Sequence, residues 1–239
     1  MPNWKELKHA YGSAEDLPGI LSDLKPDPKA PAWAALWDRI CHQGTTYSAS
    51  PAVLPILLGA ASSWDSAARA MPLALAGSIV SSPQSNLAGY ETSVEALRAL
   101  ALDTVKARDL TRTDRIYVMQ SALALEGDRL WGRKLDHLVD GEFPGSCTAC
   151  RKDLFLVIGE HGFFTAVGDW VRHREVSRVE IRASEKEELP ALGRWLYGVC
   201  TEANDSVLGE WVLHLFGVSQ CPECNQSFEV AAAIAEFES

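Results

Sequence analysis

Over the first 140 positions apolar residues recur mostly at offsets of three and four, the period of helices that bury one stripe. Trp33, Leu36, Trp37, Ile40 and Cys41 fall on such a stripe, with Gly44 as the residue expected to end the helix. Thr45-Thr46-Tyr47-Ser48-Ala49-Ser50-Pro51 then offers caps and a first-turn proline to a helix through Val53, Leu54, Ile56, Leu57 and Leu58. The run Val53-Leu54-Pro55-Ile56-Leu57-Leu58-Gly59-Ala60 is echoed weakly by Ala70-Met71-Pro72-Leu73-Ala74-Leu75-Ala76-Gly77, both reading as Ala-rich apolar helices with a proline near their starts. Helical period returns over 93–107, with a Val94/Leu97/Leu100/Ala101 stripe. It recurs over 114–139, carrying Ile116, Val118, Met119, Leu123 and Leu125 and an expected break at Gly127 or Gly132. Paired short helices that are apolar on more than one side cannot bury themselves alone, so they are expected to stack on neighbours.

The pattern changes on both sides of this block. Lys25-Pro26-Asp27-Pro28-Lys29-Ala30-Pro31 cannot be helical throughout, because each proline removes a donor and restricts its predecessor. It sets residues 1–31, a short N-terminal helical segment with its proline-rich linker, apart from a helical array over 32–140. Beyond that, Leu154-Phe155-Leu156-Val157-Ile158-Gly159 and Phe163-Phe164-Thr165-Ala166-Val167 read as two strands joined by a tight turn at Glu160-His161-Gly162. Helical blocks follow through Leu192, Trp195, Leu196 and Val199, and through Val207, Trp211, Val212, Leu215 and Phe216. Residues 141–239 therefore form a third, mixed module, and the fold class is mainly α with a small C-terminal β element.

One stretch carries a resemblance. The run from Trp33 through Cys41-His42-Gln43-Gly44-Thr45-Thr46-Tyr47-Ser48-Ala49-Ser50 to Leu54-Pro55 resembles the His-Gln-Gly-Thr-x-Tyr-x-Ala-Ser…Leu-Pro block of bacterial HEAT-like helical repeat proteins, over roughly residues 30–80. Some of these look like immunity proteins of polymorphic toxin systems. The resemblance implies an α-solenoid and a protein-binding role.

Two cysteine pairs outside that block carry the sharpest chemical signal. Cys147-Thr148-Ala149-Cys150 and Cys221-Pro222-Glu223-Cys224 each have the spacing that lets two thiolates grip one zinc ion, and together they supply a closed tetrahedral set. One structural Zn2+ per chain is expected, with Cys147, Cys150, Cys221 and Cys224 as ligands. Four cysteines leave no open position for water or substrate, so the site predicts structure rather than catalysis. Seventy residues, 151–220, separate the pairs, so the metal would staple distant segments. Cys-Pro-Glu-Cys-Asn reads as a tight turn able to aim N–H groups at sulfur, and strand-like runs follow each pair, at 153–158 and 227–230. A redox disulfide in one pair and unliganded buried thiols are the alternatives. Cys41 and Cys200 lie at helical spacing from large apolar residues and read as core, and the Cys41-His42 neighbours do not make a nucleophile–base pair on a helix.

A net charge of −10 argues against nucleic acid as the partner and accommodates a basic protein. The basic stretch Arg172-His173-Arg174 with Arg178 and Arg182 is followed by Glu185-Lys186-Glu187-Glu188 and reads as a solvated face. The most apolar run, 53–61, is too short for a membrane span and is broken by Pro55. The N-terminus lacks a basic start followed by an apolar region, so no secretory signal is expected, and retained thiols fit the cytoplasm.

Signatures of zinc proteases, phosphate loops, nucleophile elbows and zinc deaminases are missing from the sequence. No catalytic residue is assigned. His161 reads as a hairpin-tip residue, and His42-Gln43 as groups bonding the end of a neighbouring helix. Trp33 and Trp37 share a face and read as core, whereas Trp64, Trp131 and Trp170 lie near element ends, where an exposed indole would anchor a partner. The sequence thus points to a non-catalytic binding protein, most concretely an immunity protein masking a basic toxin domain in the cytoplasm. An enzyme without a linear motif and a zinc-stabilised adaptor subunit are the alternatives, and the partner-binding face is unknown.

Overall fold

A computed structural model describes residues 2–173 and 175–237. About 49% of the chain is helical, with eleven α-helices and four small sheets among the described residues. The chain divides into two compact units, Met1–Leu135 and Asp136–Ser239.

The first unit opens with a two-stranded hairpin, β1 (Lys8–His9) and β2 (Gly12–Ser13), followed by a 3-10 turn at Ala14–Asp16 and α1 (Leu17–Ser22). α2 (Pro31–Ile40) starts on a proline and buries Trp33, Leu36 and Ile40. It ends four residues before Gly44, because Cys41–His42 (β3) and Thr45–Thr46 (β4) pair as a second hairpin. Gln43 at φ 50° and Gly44 at φ 76° supply the two left-handed positions of the intervening turn, which a helix cannot contain. Alternation along β3 buries Cys41 and sends His42 the other way, to the Tyr11 hydroxyl at 3.4 Å. His42 therefore contacts a neighbouring hairpin rather than a helix end.

α3 (Ser50–Ser63) and α4 (Ser66–Ser81) are the echoed pair, and their prolines, Pro55 and Pro72, lie inside the helices rather than at their starts. α4 is apolar nearly all round, with Leu73, Leu75, Ala76 and Ile79 fully buried. It packs on α3, on α5 (Glu91–Thr104) and most extensively on α6 (Arg112–Glu126). The α4–α6 approach depends on Gly77, where a Cβ would stand 2.7 Å from the Ser121 Cα. α6 ends at Gly127, a left-handed C-cap at φ 92°, and α7 (Trp131–Lys134) packs back on it at Gly132 and Ala124. Buried Arg115 donates to the carbonyls of Val105 (2.6 Å) and Ala107 (3.0 Å), satisfying the end of α5 and the loop that follows it.

The second unit begins with α8 (His137–Asp140) and a four-stranded antiparallel meander in the order β5 (Glu142–Ser146), β6 (Asp153–Gly159), β7 (Gly162–Ala166), β8 (Arg178–Glu180). The β6–β7 turn is Glu160-His161, flanked by Gly159 and Gly162 at positive φ, as the strand pattern predicts. A helical hairpin, α9 (Ala191–Glu202) and α10 (Ser206–Leu215), leads to a last β-hairpin, β9 (Val218–Gln220) and β10 (Ser227–Glu229), and to α11 (Val230–Glu236). No helix of the described residues is long and apolar enough to cross a membrane.

Candidate metal centre

Both cysteine pairs occupy the tips of β-hairpins, and the two tips are built alike. β5 and β6 stop pairing at Ser146 and Asp153, and β9 and β10 stop at Gln220 and Ser227. That leaves six-residue loops, 147–152 and 221–226, each starting on a cysteine. In the first, Cys147 N–H donates to the Lys152 carbonyl and Arg151 N–H to the Cys147 carbonyl, both at 2.9 Å. In the second, Cys221 N–H donates to Gln226 (3.0 Å) and Asn225 N–H to Cys221 (2.9 Å). The fifth residue of each loop is left-handed, Arg151 at φ 62° and Asn225 at φ 59°. Asn tolerates that region and Arg resists it, so the shared geometry is imposed by the loop and not by local preference.

The seventy-residue gap is closed by the sheet. β9 continues the meander through paired backbone bonds between Arg182 and Val218, 2.9 and 3.0 Å. Beneath it, buried Thr165 donates to Ser219 Oγ at 2.9 Å, and Ser219 donates to the Glu180 carbonyl at 3.0 Å. Gly217 is required at this junction, since a Cβ there would lie 2.1 Å from the Arg182 carbonyl oxygen. α11 packs on β5, and an ion pair between Arg151 and Glu236 ties the first loop to that helix. These contacts hold the second hairpin against the first.

All four ligand atoms lie within 4.8 Å of one another. The Cys147–Cys224 and Cys150–Cys221 sulfurs are each 3.8 Å apart. A tetrahedral ion with metal–sulfur bonds of about 2.3 Å spaces its sulfurs by about 3.8 Å, whereas a disulfide needs about 2.05 Å. The donor set and its spacing therefore fit one metal ion bridging the hairpins. Cys147 and Cys221 are fully buried, Cys150 is exposed and Cys224 half-buried, so each pair contributes one inner and one outer sulfur.

Four thiols this close do not ionise independently. Burial opposes ionisation of Cys147, but the N–H groups of Cys150 and Ala149 and the neighbouring thiols outweigh it and lower that thiol to about 7. Burial raises Cys221, against N–H groups of Cys224 and Glu223. At Cys224 the Gln226 N–H favours the thiolate, yet desolvation and the three other sulfurs push it up to about 12. Backbone donors thus favour a first thiolate while each further charge meets the last, and a divalent cation among the sulfurs reverses that repulsion.

The other candidate residues stand elsewhere. Cys41 and Cys200 are buried, and burial pushes the Cys41 thiol up. Trp33 is buried, and Trp64 meets its ring edge-on at 5.9 Å. Trp131 is buried, Trp64 and Trp170 are half-buried, and Trp170 donates to Glu142 at 2.5 Å, so none of the three end-placed indoles stands fully exposed as a partner anchor would. Arg178 lies over the rings of Phe164 (4.7 Å) and Trp170 (5.5 Å), Arg172 pairs with Asp169, and Arg174 lies outside the described residues. His161 is exposed at its hairpin tip beside Trp170. Sequence reasoning misses the residues that position the metal loops: Thr165 is hidden in an apolar run, and Gly217 and Ser219 sit in a stretch without periodicity. Comparison with family models, with curated proteins and with solved structures finds no match to this chain.

Proposed function

We propose that this chain is a non-catalytic, zinc-stapled binding protein that captures a basic protein partner through its second unit. The observation that carries this is the partition of charge. The unit Met1–Leu135 has 14 acidic and 14 basic residues, whereas Asp136–Ser239 has 18 acidic and 8 basic, the whole of the −10. Solubility alone gives no reason to concentrate the charge in one unit. A basic partner does, because a field of one sign steers it in and fixes its orientation. The closed four-sulfur set supports a structural metal, and zinc is the ion best suited to tetrahedral thiolates in a reducing compartment.

The most concrete version is an immunity protein that occludes the active site of a basic toxin domain in the cytoplasm. A HEAT-like solenoid in the first unit belongs to this reading. It is supported by the packing of two helical hairpins, α3–α4 and α5–α6, in which first helix meets first helix and second meets second. The test is capture by the immobilised zinc-loaded protein from lysate of the cells that make it, followed by assay of the captured partner's activity. A single stoichiometric basic partner, inhibited on binding and released as salt rises, is expected. A partner held equally well after acidic residues of the second unit are neutralised would contradict the proposal.

A further inference from the structure

The acidic unit contains a concave site with the chemistry of an arginine receptor. α9 and α10 enclose a cleft of about 400 Å³, with Tyr197 and Thr201 on one wall and Glu210 on the other. Gly209 forms part of its floor against the Tyr197 ring, where a Cβ would make ordinary contact at 3.4 Å. Asp205 caps α10 by accepting from the Leu208 N–H at 3.1 Å, which offsets the positive end of that helix. The facing end of α9 presents its negative C-terminal turn.

Two polar groups line this cleft, on exposed Glu210 and half-buried Tyr197. Among the described residues neither the Glu210 carboxylate nor the Tyr197 hydroxyl is hydrogen-bonded or ion-paired, although the backbone carbonyls of both residues accept bonds. The nearest cation in sequence, Arg194 on α9, donates to the Leu189 carbonyl at 2.6 Å, and residues 195–239 contain seven acidic residues and no Lys or Arg. An aromatic wall, a carboxylate and a backbone without a side chain suit a planar cation that donates in a fork and stacks on a ring. A guanidinium does both, and an ammonium does neither as well.

We propose that the α9–α10 cleft seats an arginine side chain of the partner protein, paired with Glu210 and stacked on Tyr197. The inference rests on the reading of the second unit as the partner-facing body, and it names the anchor point. The test uses the full zinc-loaded chain, titrated with hexa-arginine and, separately, hexa-lysine peptides while backbone amide shifts are followed. Shifts centred on Thr201, Asn204 and Gly209 are expected, with hexa-arginine bound more tightly. Glu210→Gln should weaken that binding about two- to fivefold, the loss expected when an exposed charged pair is removed. Tyr197→Leu should weaken it while leaving hexa-lysine little changed. Shifts spread over the acidic surface, equal affinity for the two peptides, or indifference to Glu210→Gln would each overturn the assignment. A basic partner still captured at full strength by the Glu210→Gln chain would spare the wider reading and sink only the cleft.

Discussion

Single atoms decide several features of this molecule, and two glycines show it in opposite directions. A helical glycine normally costs about 1 kcal/mol against alanine, so Gly→Ala should stabilise. Gly59 in α3 faces open space, and Gly59→Ala is expected to raise stability by up to about 1 kcal/mol. Gly77 in α4 faces the Ser121 backbone at 2.7 Å, so Gly77→Ala should instead lower stability by about 1–3 kcal/mol. Urea denaturation of the two variants checks both signs. Near the N-terminus, His9 accepts the Tyr11 N–H at Nδ1, so its Nε2 donates to Asp16 at 2.9 Å, while Arg39 donates to the other Asp16 oxygen at 2.6 Å. Partial burial opposes ionisation of Asp16, but the hydrogen bonds from Arg39 and His9 win and hold its carboxyl below the usual value of 3.8. A depressed acid stabilises the fold above its unfolded pKa, and that contribution fades as pH falls through the folded value. Asp16→Asn should therefore cost less than about 1 kcal/mol at neutral pH, and the gap from the unaltered chain should shrink below about pH 4. A gap that widens on acidification would contradict this.

Hairpins bring the four cysteines together, and they divide what the sequence reveals from what it hides. The matching loops predict matching sensitivity at their left-handed positions. Asn225→Gly should leave metal retention unchanged, whereas Asn225→Val should weaken the fold by about 1–3 kcal/mol and speed metal loss to a chelator. The ligands were legible because Cys-x2-Cys is fixed by the reach of two side chains to one ion, a local constraint. The strands after each pair and the helices α3, α5, α6, α9 and α10 were legible because burial of one face imposes a period. The hairpins β1–β2 and β3–β4 were not, since two-residue strands have no period to read. In the second of them Cys41 continues the helical stripe by spacing while the Gln43-Gly44 turn takes it out of the helix. The junction at Gly217, Ser219 and Thr165 was equally hidden. Its logic is tertiary, a missing Cβ beside one carbonyl and a hydroxyl chain between strands distant in sequence.

Taken as a whole chain, the protein joins a charge-balanced unit to an acidic unit that carries the four-cysteine cluster. Because a bound ion contributes folding free energy only to the body that holds it, chelation should act unequally. Hydrogen exchange after metal removal is expected to accelerate in β5, β6, β9, β10 and α11 and to stay unchanged in α4 and α6. Uniform acceleration along the chain would contradict that division. The central claim is the metal staple, and its most direct test is the metal content of protein purified from its own cells without added metal, with X-ray absorption at the metal edge. The account predicts one zinc per chain, bound by four sulfurs at about 2.3 Å, and loss of the ion in Cys221→Ser. Metal-free protein with both hairpins still folded, or a disulfide between any two of the four cysteines, would contradict it.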